Sequence, residues 1–106
     1  MKAVRIHKKV EKDLIELDIF TRAKITELLS LLAKGESLAL PVSRPMPIIA
    51  NGVHELRIKN IEGQYRVFYF VKHLDAILVF HFFKKKTQET PKTEIETGRR
   101  RLGEMI

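Results

Sequence analysis

The fold is decided by the stretch from Val53 to Lys84, which reads VHELRIKNIEGQYRVFYFVKHLDAILVFHFFK. It holds three runs rich in Val, Ile, Phe and Tyr, separated by the short segments Asn60–Gly63 and His73–Asp75. Such runs favour β-strands, and the polar segments between them favour tight turns. The pattern therefore predicts three antiparallel strands, over residues 53–59, 64–72 and 76–84.

The first half of the chain predicts helices that would cover this meander. Residues 3–7 alternate apolar and polar side chains, which indicates a short strand. From Lys8 onwards the apolar spacing becomes helical, with Asp18 as the N-cap of a second helix and Gly35 just after its end. Residues 35–52 contain three of the four prolines and are interpreted as a connecting loop.

A last helix is predicted after the meander, with Thr90 as its N-cap and Pro91 at its first position. The element order is then β-α-α-β-β-β-α. We expect one domain over residues 1–106, of the α+β class. Its small, mainly antiparallel sheet would have four strands, with the helices packed largely on one face. The other face would stay partly open, because too few helices remain to cover it.

Composition limits the classes of function. Lys and Arg number 20 against 13 Asp and Glu, and this net charge of +7 favours a polyanionic partner, nucleic acid first and an acidic protein second. The absence of cysteine removes disulfides, thiol nucleophiles and iron–sulfur clusters. The four histidines lack paired ligand spacing, so neither a metal nor another cofactor is expected. No targeting segment is recognisable, and we expect a cytoplasmic protein that does not enter a membrane.

The Asn60–Gly63 turn sets the register of the first two strands of the meander. If Lys59 lies opposite Gln64, then Arg57 lies opposite Arg66 and both point to one face. With an equally short second turn, that face carries Glu55, Arg57, Arg66, Phe68, His81 and Phe83. The alternate face carries the predicted core residues Leu56, Ile58, Val67, Tyr69, Leu78, Phe80 and Phe82.

The face with the arginines combines groups that suit RNA. Arginine binds phosphate through two donors, aromatic rings stack on unpaired bases, and imidazole and carboxylate groups transfer protons. The run Lys84-Lys85-Lys86 adds positive charge just beyond the third strand. Each feature also has a plainer interpretation: solvated strand arginines, a hydrogen-bonded interior histidine at His81, and lysines that protect a sheet edge. Together they favour an RNA or phosphate site, although none is specific alone.

Three motifs on these strands resemble the RelE/ParE superfamily of toxins, in particular its phage-derived HigB-like branch. They are HELRIK at 54–59, GQYRVFY at 63–69 and HFFKKKTQETPKTEIE at 81–96. The branch typically shows E-L-R, Y-R-x-x-Y and F-x-K-K-T, with a P-x-x-E-I helix behind. The sequence departs from it at His54, where many relatives have tryptophan, and at Gly98, where alanine is usual.

The resemblance implies the toxin of a type II toxin–antitoxin pair. Such a toxin would be a ribosome-dependent mRNA endoribonuclease, or mRNA interferase, that inhibits translation and is neutralised by a cognate antitoxin protein. It would meet DNA only indirectly, through the antitoxin complex. The resemblance implies that Arg57 and Arg66 contact the scissile phosphate. The candidate residues are, for catalysis, Arg57, Arg66, Lys84, Lys85, His81 and Glu55, and, for RNA binding, Lys86, Tyr69, Phe68 and Phe83.

The hypothesised reaction is metal-independent, because the RNA 2′-hydroxyl is the nucleophile. The general base would be Glu55, His81 or a lysine with a lowered pKa. We expect Arg66→Ala to abolish cleavage and to leave the domain folded. Two other functions remain open: poisoning of DNA gyrase, as in ParE-like relatives, and a non-catalytic module that binds RNA or a partner.

Overall fold

The chain folds into five strands and three helices in a computed structural model that describes residues 1–106. In chain order these are β1 (Ala3–Ile6), α1 (Lys8–Glu16), α2 (Ile19–Ala33), β2 (Ser43–Pro45), β3 (Val53–Asn60), β4 (Gly63–Phe70), β5 (Ala76–Lys85) and α3 (Lys92–Met105). None of the helices is long and apolar enough to cross a membrane.

The sheet has five strands and is mixed, so the predicted four-stranded, mainly antiparallel sheet is wrong. Its order is β1-β5-β4-β3-β2, and β1 runs parallel to β5. The additional strand, β2, comes from the segment interpreted above as a loop, and pairs Arg44 with Glu55 of β3. Proline does not prevent this, because β2 lies at the edge of the sheet and can leave one side of its backbone unpaired.

The predicted register of the arginine-bearing strands is confirmed. Arg57 of β3 pairs with Arg66 of β4, as the Asn60–Gly63 turn requires. Phe68 of β4 in turn pairs with His81 of β5. Because side chains alternate across each strand, these four residues lie on one face of the sheet.

A β-bulge changes which side chains of β5 reach that face. The register shifts between Phe68 and Tyr69, so that Tyr69 pairs with Val79. A bulge adds one residue to one strand and reverses the facing of the residues beyond it. Leu78 and Phe80 therefore pack with Phe68, and their predicted place on the alternate face is wrong.

Helices cover both faces of the sheet, which corrects the expectation of one covered face. One face carries α1 and α2, whose apolar residues pack with Leu56 and Val67. The other carries α3, which packs through Ile95 and Leu102 on the cluster around Phe68. A layer on each side buries both apolar faces of the central strands. The part of the second face that α3 leaves uncovered, at the ends of β3, β4 and β5, is where the candidate site lies.

Two helix starts were predicted from capping residues; the N-cap at Asp18 is confirmed and the N-cap at Thr90 is wrong. Asp18 caps α2, since its Oδ2 accepts from the backbone N–H of Thr21 at 2.9 Å. At α3 the N-cap is Pro91 and makes no side-chain capping bond. Thr90 instead donates its hydroxyl to Glu55 Oε2 at 3.2 Å, which links the start of α3 to the buried interior of the site.

Candidate functional site

A cleft of about 440 Å³ opens on the α3 side of the sheet, where β3, β4 and β5 approach the Asn60–Gly63 turn. Neighbouring pairs in the sheet place Arg57 beside Arg66 and Gln64 beside Lys85. The cleft has no apolar lining, and its residues, which define the arginine cleft, are Arg57, Gln64, Arg66, Lys85, Lys86, Thr87 and Gln88. Four cations and no carboxylate line it, so it attracts a small anion or a polyanion.

Arg66 forms the floor of the arginine cleft and is held firmly. Its residue is only 2% exposed. One Nη donates to Gln64 Oε1 at 2.9 Å, and the other donates to the carbonyl of Tyr65 at 3.1 Å. Burial lowers the pKa of Arg66 and the negative charge of Glu55 opposes that shift. An arginine stays charged nonetheless, so the cleft has a fixed positive group at its base.

Glu55 lies beneath the cleft and is 0% exposed. Its Oε1 is 3.3 Å from Arg44 Nε and 3.5 Å from Arg66 Nε, while its Oε2 accepts from Thr90. A buried carboxylate between two guanidinium groups is a counter-charge that keeps both in place. Glu55 was predicted as a candidate for proton transfer, and none of its surface is exposed to the cleft. Its contacts indicate a positioning role.

Arg44 is the residue that sequence reasoning missed. The sequence places it only in the proline-containing loop. Because it lies on β2 opposite Glu55, its guanidinium group reaches the same buried carboxylate as Arg66. One local signal existed: a residue that precedes proline, here Pro45, is biased towards extended backbone. That bias alone does not say which strand the segment would join.

His81 lies beside the cleft, 5% exposed, with both ring nitrogens occupied. Nε2 is 2.7 Å from Glu94 Oε1, and Arg101 donates to Nδ1 at 2.9 Å. Since arginine only donates, Nδ1 must accept, and the ring proton resides on Nε2. Burial lowers the pKa of His81, with Glu94 opposing, so the neutral form is favoured. These contacts match the interior-histidine interpretation, and they attach α3 to β5.

The aromatic candidates are not available for stacking on bases in the cleft. Phe68 is fully buried under α3, and Phe83 is nearly so. Tyr69 lies on the opposite face, in the α1–α2 core, where its hydroxyl is 2.6 Å from Ser43 Oγ. The expected roles of these rings in RNA binding therefore lack an exposed surface.

The three lysines at the end of β5 do not share one face of the sheet. Lys84 pairs with Tyr65 on the α1–α2 side, with its Nζ 6.0 Å from the centroid of that ring. Lys85 and Lys86 line the arginine cleft. Burial and then the nearby charge of Arg66 lower the pKa of Lys85. Lys85 is thus a cleft lysine whose pKa lies below its ordinary value.

His54, at the position where tryptophan is usual, also faces away from the cleft. It pairs with Tyr69 and stacks on that ring, with centroids 5.5 Å apart and planes 19° apart. Burial lowers its pKa, so the ring favours the neutral form. It serves as a packing group in place of an indole, on the side of the sheet opposite the arginines.

The other departure, Gly98, has a packing reason. A Cβ at this position of α3 would lie 3.0 Å from Phe68 Cδ2 and 3.4 Å from Phe80 Cε2. The missing side chain lets α3 approach the sheet closely. Glycine here lowers helix propensity but fits the contact between α3 and the aromatic cluster.

A comparison of the sequence with known families identifies one match. Residues 12–103 match the family described as "Phage derived protein Gp49-like (DUF891)". The chain belongs to this Gp49-like family, a RelE/HigB-like family of toxins in toxin–antitoxin systems. Membership implies an antitoxin partner in general terms. A search among curated proteins finds no match. The sequence-based resemblance is confirmed at the level of this toxin family, and the assignment to the HigB branch stays a prediction.

Proposed function

We propose that the protein is a HigB-like mRNA interferase, a ribosome-dependent endoribonuclease that stops translation by cutting mRNA. One observation carries this proposal: Arg57 and Arg66 are adjacent in a cleft that also holds Lys85 and Lys86 and has no apolar lining. Guanidinium groups bind phosphate oxygens through paired donors. Fixed positive groups aimed at one phosphate stabilise the charge that develops during its cleavage.

The proposed reaction uses the RNA itself as the nucleophile. The 2′-oxygen forms a bond to the adjacent phosphorus while the bond from phosphorus to the 5′-oxygen breaks. The products are a 2′,3′-cyclic phosphate and a 5′-hydroxyl. Arg57 and Arg66 offset the added negative charge on the phosphoryl oxygens, and Lys86 holds the flanking backbone. This chemistry needs no metal ion.

Two protons must move in this reaction, one from the 2′-hydroxyl and one to the leaving 5′-oxygen. Lys85 is the favoured group for proton transfer, because it lines the cleft and its pKa is lowered by burial and by Arg66. Glu55 instead positions Arg66 from below, and His81 attaches α3 to the sheet. The ribosome would supply the second group or the RNA geometry.

The partners follow from this reaction. The substrate would be mRNA on the ribosome, so the site of action would be the cytoplasm. The cognate antitoxin would neutralise the toxin through an acidic segment that folds on binding to the basic surface.

The test is 5′-end mapping of mRNAs in a purified translation system, with and without ribosomes. Arg57→Gln is the informative variant, because Arg57 is half-buried and its side chain makes no hydrogen bond within the protein. Lys24→Gln on α2, which lies outside the cleft, is the matched control for loss of one charge. We expect new ends inside reading frames only with ribosomes, with cutting reduced about 100-fold or more by Arg57→Gln.

Two results would contradict the proposal. Full cutting by Arg57→Gln would remove the arginine cleft as the active site. Intact mRNA with folded wild-type protein would remove the nuclease itself. In that case, inhibition of DNA supercoiling by the same preparation would point to gyrase as the target.

A further inference from the structure

A second basic cleft, also of about 440 Å³, lies between α3 and the junction of β1 with α1. It is separate from the arginine cleft and shares no residue with it. The cations that line it, which define the terminal cleft, are Arg5, Lys8, Lys9, Arg100 and Arg101.

The charge of the terminal cleft is only partly offset within the protein. None of its five cations has an Asp or Glu oxygen within 4.0 Å. The single carboxylate in the lining, Glu104, accepts a hydrogen bond from His7 Nε2 at 2.8 Å and lies within the field of Arg100 and Lys9, so that five cations face one negative charge. Like charges brought together from the two ends of the chain repel each other, and a bound anion would remove that repulsion.

The walls of the terminal cleft are tied together. His7 is the N-cap of α1, and its Nδ1 accepts from the backbone N–H of Lys9 at 3.2 Å. The ring proton is therefore on Nε2 and is donated to Glu104 of α3. This contact joins residues 97 positions apart in the chain. The cleft is thus preformed, which lowers the entropic cost of binding a ligand.

The terminal cleft and the arginine cleft lie on the same side of the sheet. Arg5 alternates with Val4 and Ile6, which pack into the core on the α1–α2 side, so Arg5 points to the α3 side. It pairs with Leu78, five residues before Phe83, the partner of Arg66. Two strand spacings across and five residues along separate Arg5 from Arg66 by about 20 Å.

A chain of contacts fills the space between the clefts. Arg101 lines the terminal cleft and donates to His81. The His81 ring stacks on Phe83, with centroids 5.4 Å apart, and Phe83 pairs with Arg66. The interior between the two basic sites is therefore filled by packed and hydrogen-bonded side chains.

We propose that the terminal cleft is a second binding site for RNA phosphates, which holds the same strand whose scissile phosphate lies in the arginine cleft. The inference rests on the proposed function. Apolar lining is limited to Ile6 and Met105, which favours phosphates over a folded peptide, since peptide interfaces depend on buried apolar anchors.

The test measures binding, not cleavage. The probes are single-stranded RNAs of about four and about twelve nucleotides, 2′-O-methylated so that they cannot be cut, with anisotropy read over a range of salt concentrations. The variant is Lys8→Gln with Arg100→Gln, both exposed. The control, Lys24→Gln with Lys34→Gln, removes the same charge from α2 and the residue after it.

We expect the Lys8/Arg100 variant to bind the longer RNA at least about tenfold more weakly than wild type. The slope of log affinity against log salt concentration should become shallower by about 1.4, which corresponds to the loss of two phosphate contacts on a single strand. Binding of the shorter RNA should not change, because it cannot reach from one cleft to the other. The control should change neither quantity beyond a small general effect of charge.

Unchanged affinity and slope for the longer RNA would overturn the inference, as would equal losses for both lengths. Loss of binding to poly-glutamate with RNA binding intact would assign the cleft to an acidic protein instead. If only the inference about the terminal cleft is wrong, Arg57→Gln should still weaken the binding of both RNAs, which distinguishes that outcome from failure of the proposed function. If wild-type protein binds neither RNA, both proposals fall.

Discussion

The buried pair of Glu55 and Arg66 gives the sharpest prediction for stability. Arg66→Met keeps most of the side-chain volume but removes the guanidinium group. Glu55 would then remain 0% exposed, with only Arg44 and Thr90 near its oxygens. Gln64 Oε1 and the carbonyl of Tyr65 would each lose a donor as well.

The magnitude follows from the burial. Removing one partner of a buried ion pair costs about 3–5 kcal/mol, because the other charge is left without compensation. Arg44 stays 3.3 Å from Glu55 but its side chain is 42% exposed, so it compensates only in part. A loss of about 3 kcal/mol is a large share of the roughly 5–15 kcal/mol that stabilises a domain. It would lower Tm by more than about 10 °C.

A double-mutant cycle separates this loss from a general packing defect. Glu55→Met with Arg66→Met removes both buried charges, and we expect it to recover stability to within about 1 kcal/mol of wild type. The assay is urea unfolding followed by far-UV circular dichroism at pH 7. A cost below about 1 kcal/mol for Arg66→Met would refute the reasoning, as would a double variant that shows the sum of the two single losses.

Three further predictions concern α3, pH and proton transfer. Gly98→Ala should lower the free energy of unfolding by up to about 2 kcal/mol in urea, because the close contact with Phe68 outweighs the gain in helix propensity. Gly103 has open space around it, so Gly103→Ala should leave the free energy of unfolding unchanged or raise it by up to about 1 kcal/mol. Because the pKa of His81 is lowered in the folded protein, the unfolded chain takes up a proton at a higher pH than the folded one does. The free energy of unfolding should therefore fall as the pH drops below about 6.5, and His81→Asn should make this pH dependence weaker. Lys85→Arg should keep the affinity for RNA but slow cleavage by about 100-fold or more in single-turnover assays, because arginine does not release its proton. An unchanged cleavage rate would show that Lys85 does not transfer the proton.

The meander was predictable because its signals are local. The turn residues at 60–63 fix the register of β3 against β4, and with it the adjacency of Arg57 and Arg66. Strand β2 was not predictable in this way. Three residues among prolines carry little pattern of their own, and β2 exists because the edge of β3 offers it hydrogen-bond partners.

The candidate site was predicted in part for the same reason. The alternation of side chains along the strands correctly placed Glu55, Arg57 and Arg66 on one face of the sheet. Alternation does not predict how deeply each side chain is buried. Glu55 is buried because Arg44 and the start of α3 close over it, and neither contact is visible in local sequence. Lys84 and Lys85 are neighbours in the chain, and only the exact strand register shows which one enters the cleft.

The expectation that Arg66→Ala would leave the domain folded has to be revised on this structure. Arg66 is both the floor of the cleft and the counter-ion of a buried carboxylate, so we expect its removal to change stability together with the proposed phosphate binding. Arg57 makes no such buried ion pair, so the effect of its substitution on cleavage can be interpreted without a correction for stability. In the proposed mechanism the two arginines therefore have different roles: Arg66 is preorganised by Glu55, which makes folding sensitive to its loss, and Arg57 is free to adjust to the phosphate. We therefore expect Arg57→Lys to weaken RNA binding and cleavage in proportion, and Arg66→Lys to lose stability before it loses affinity for RNA.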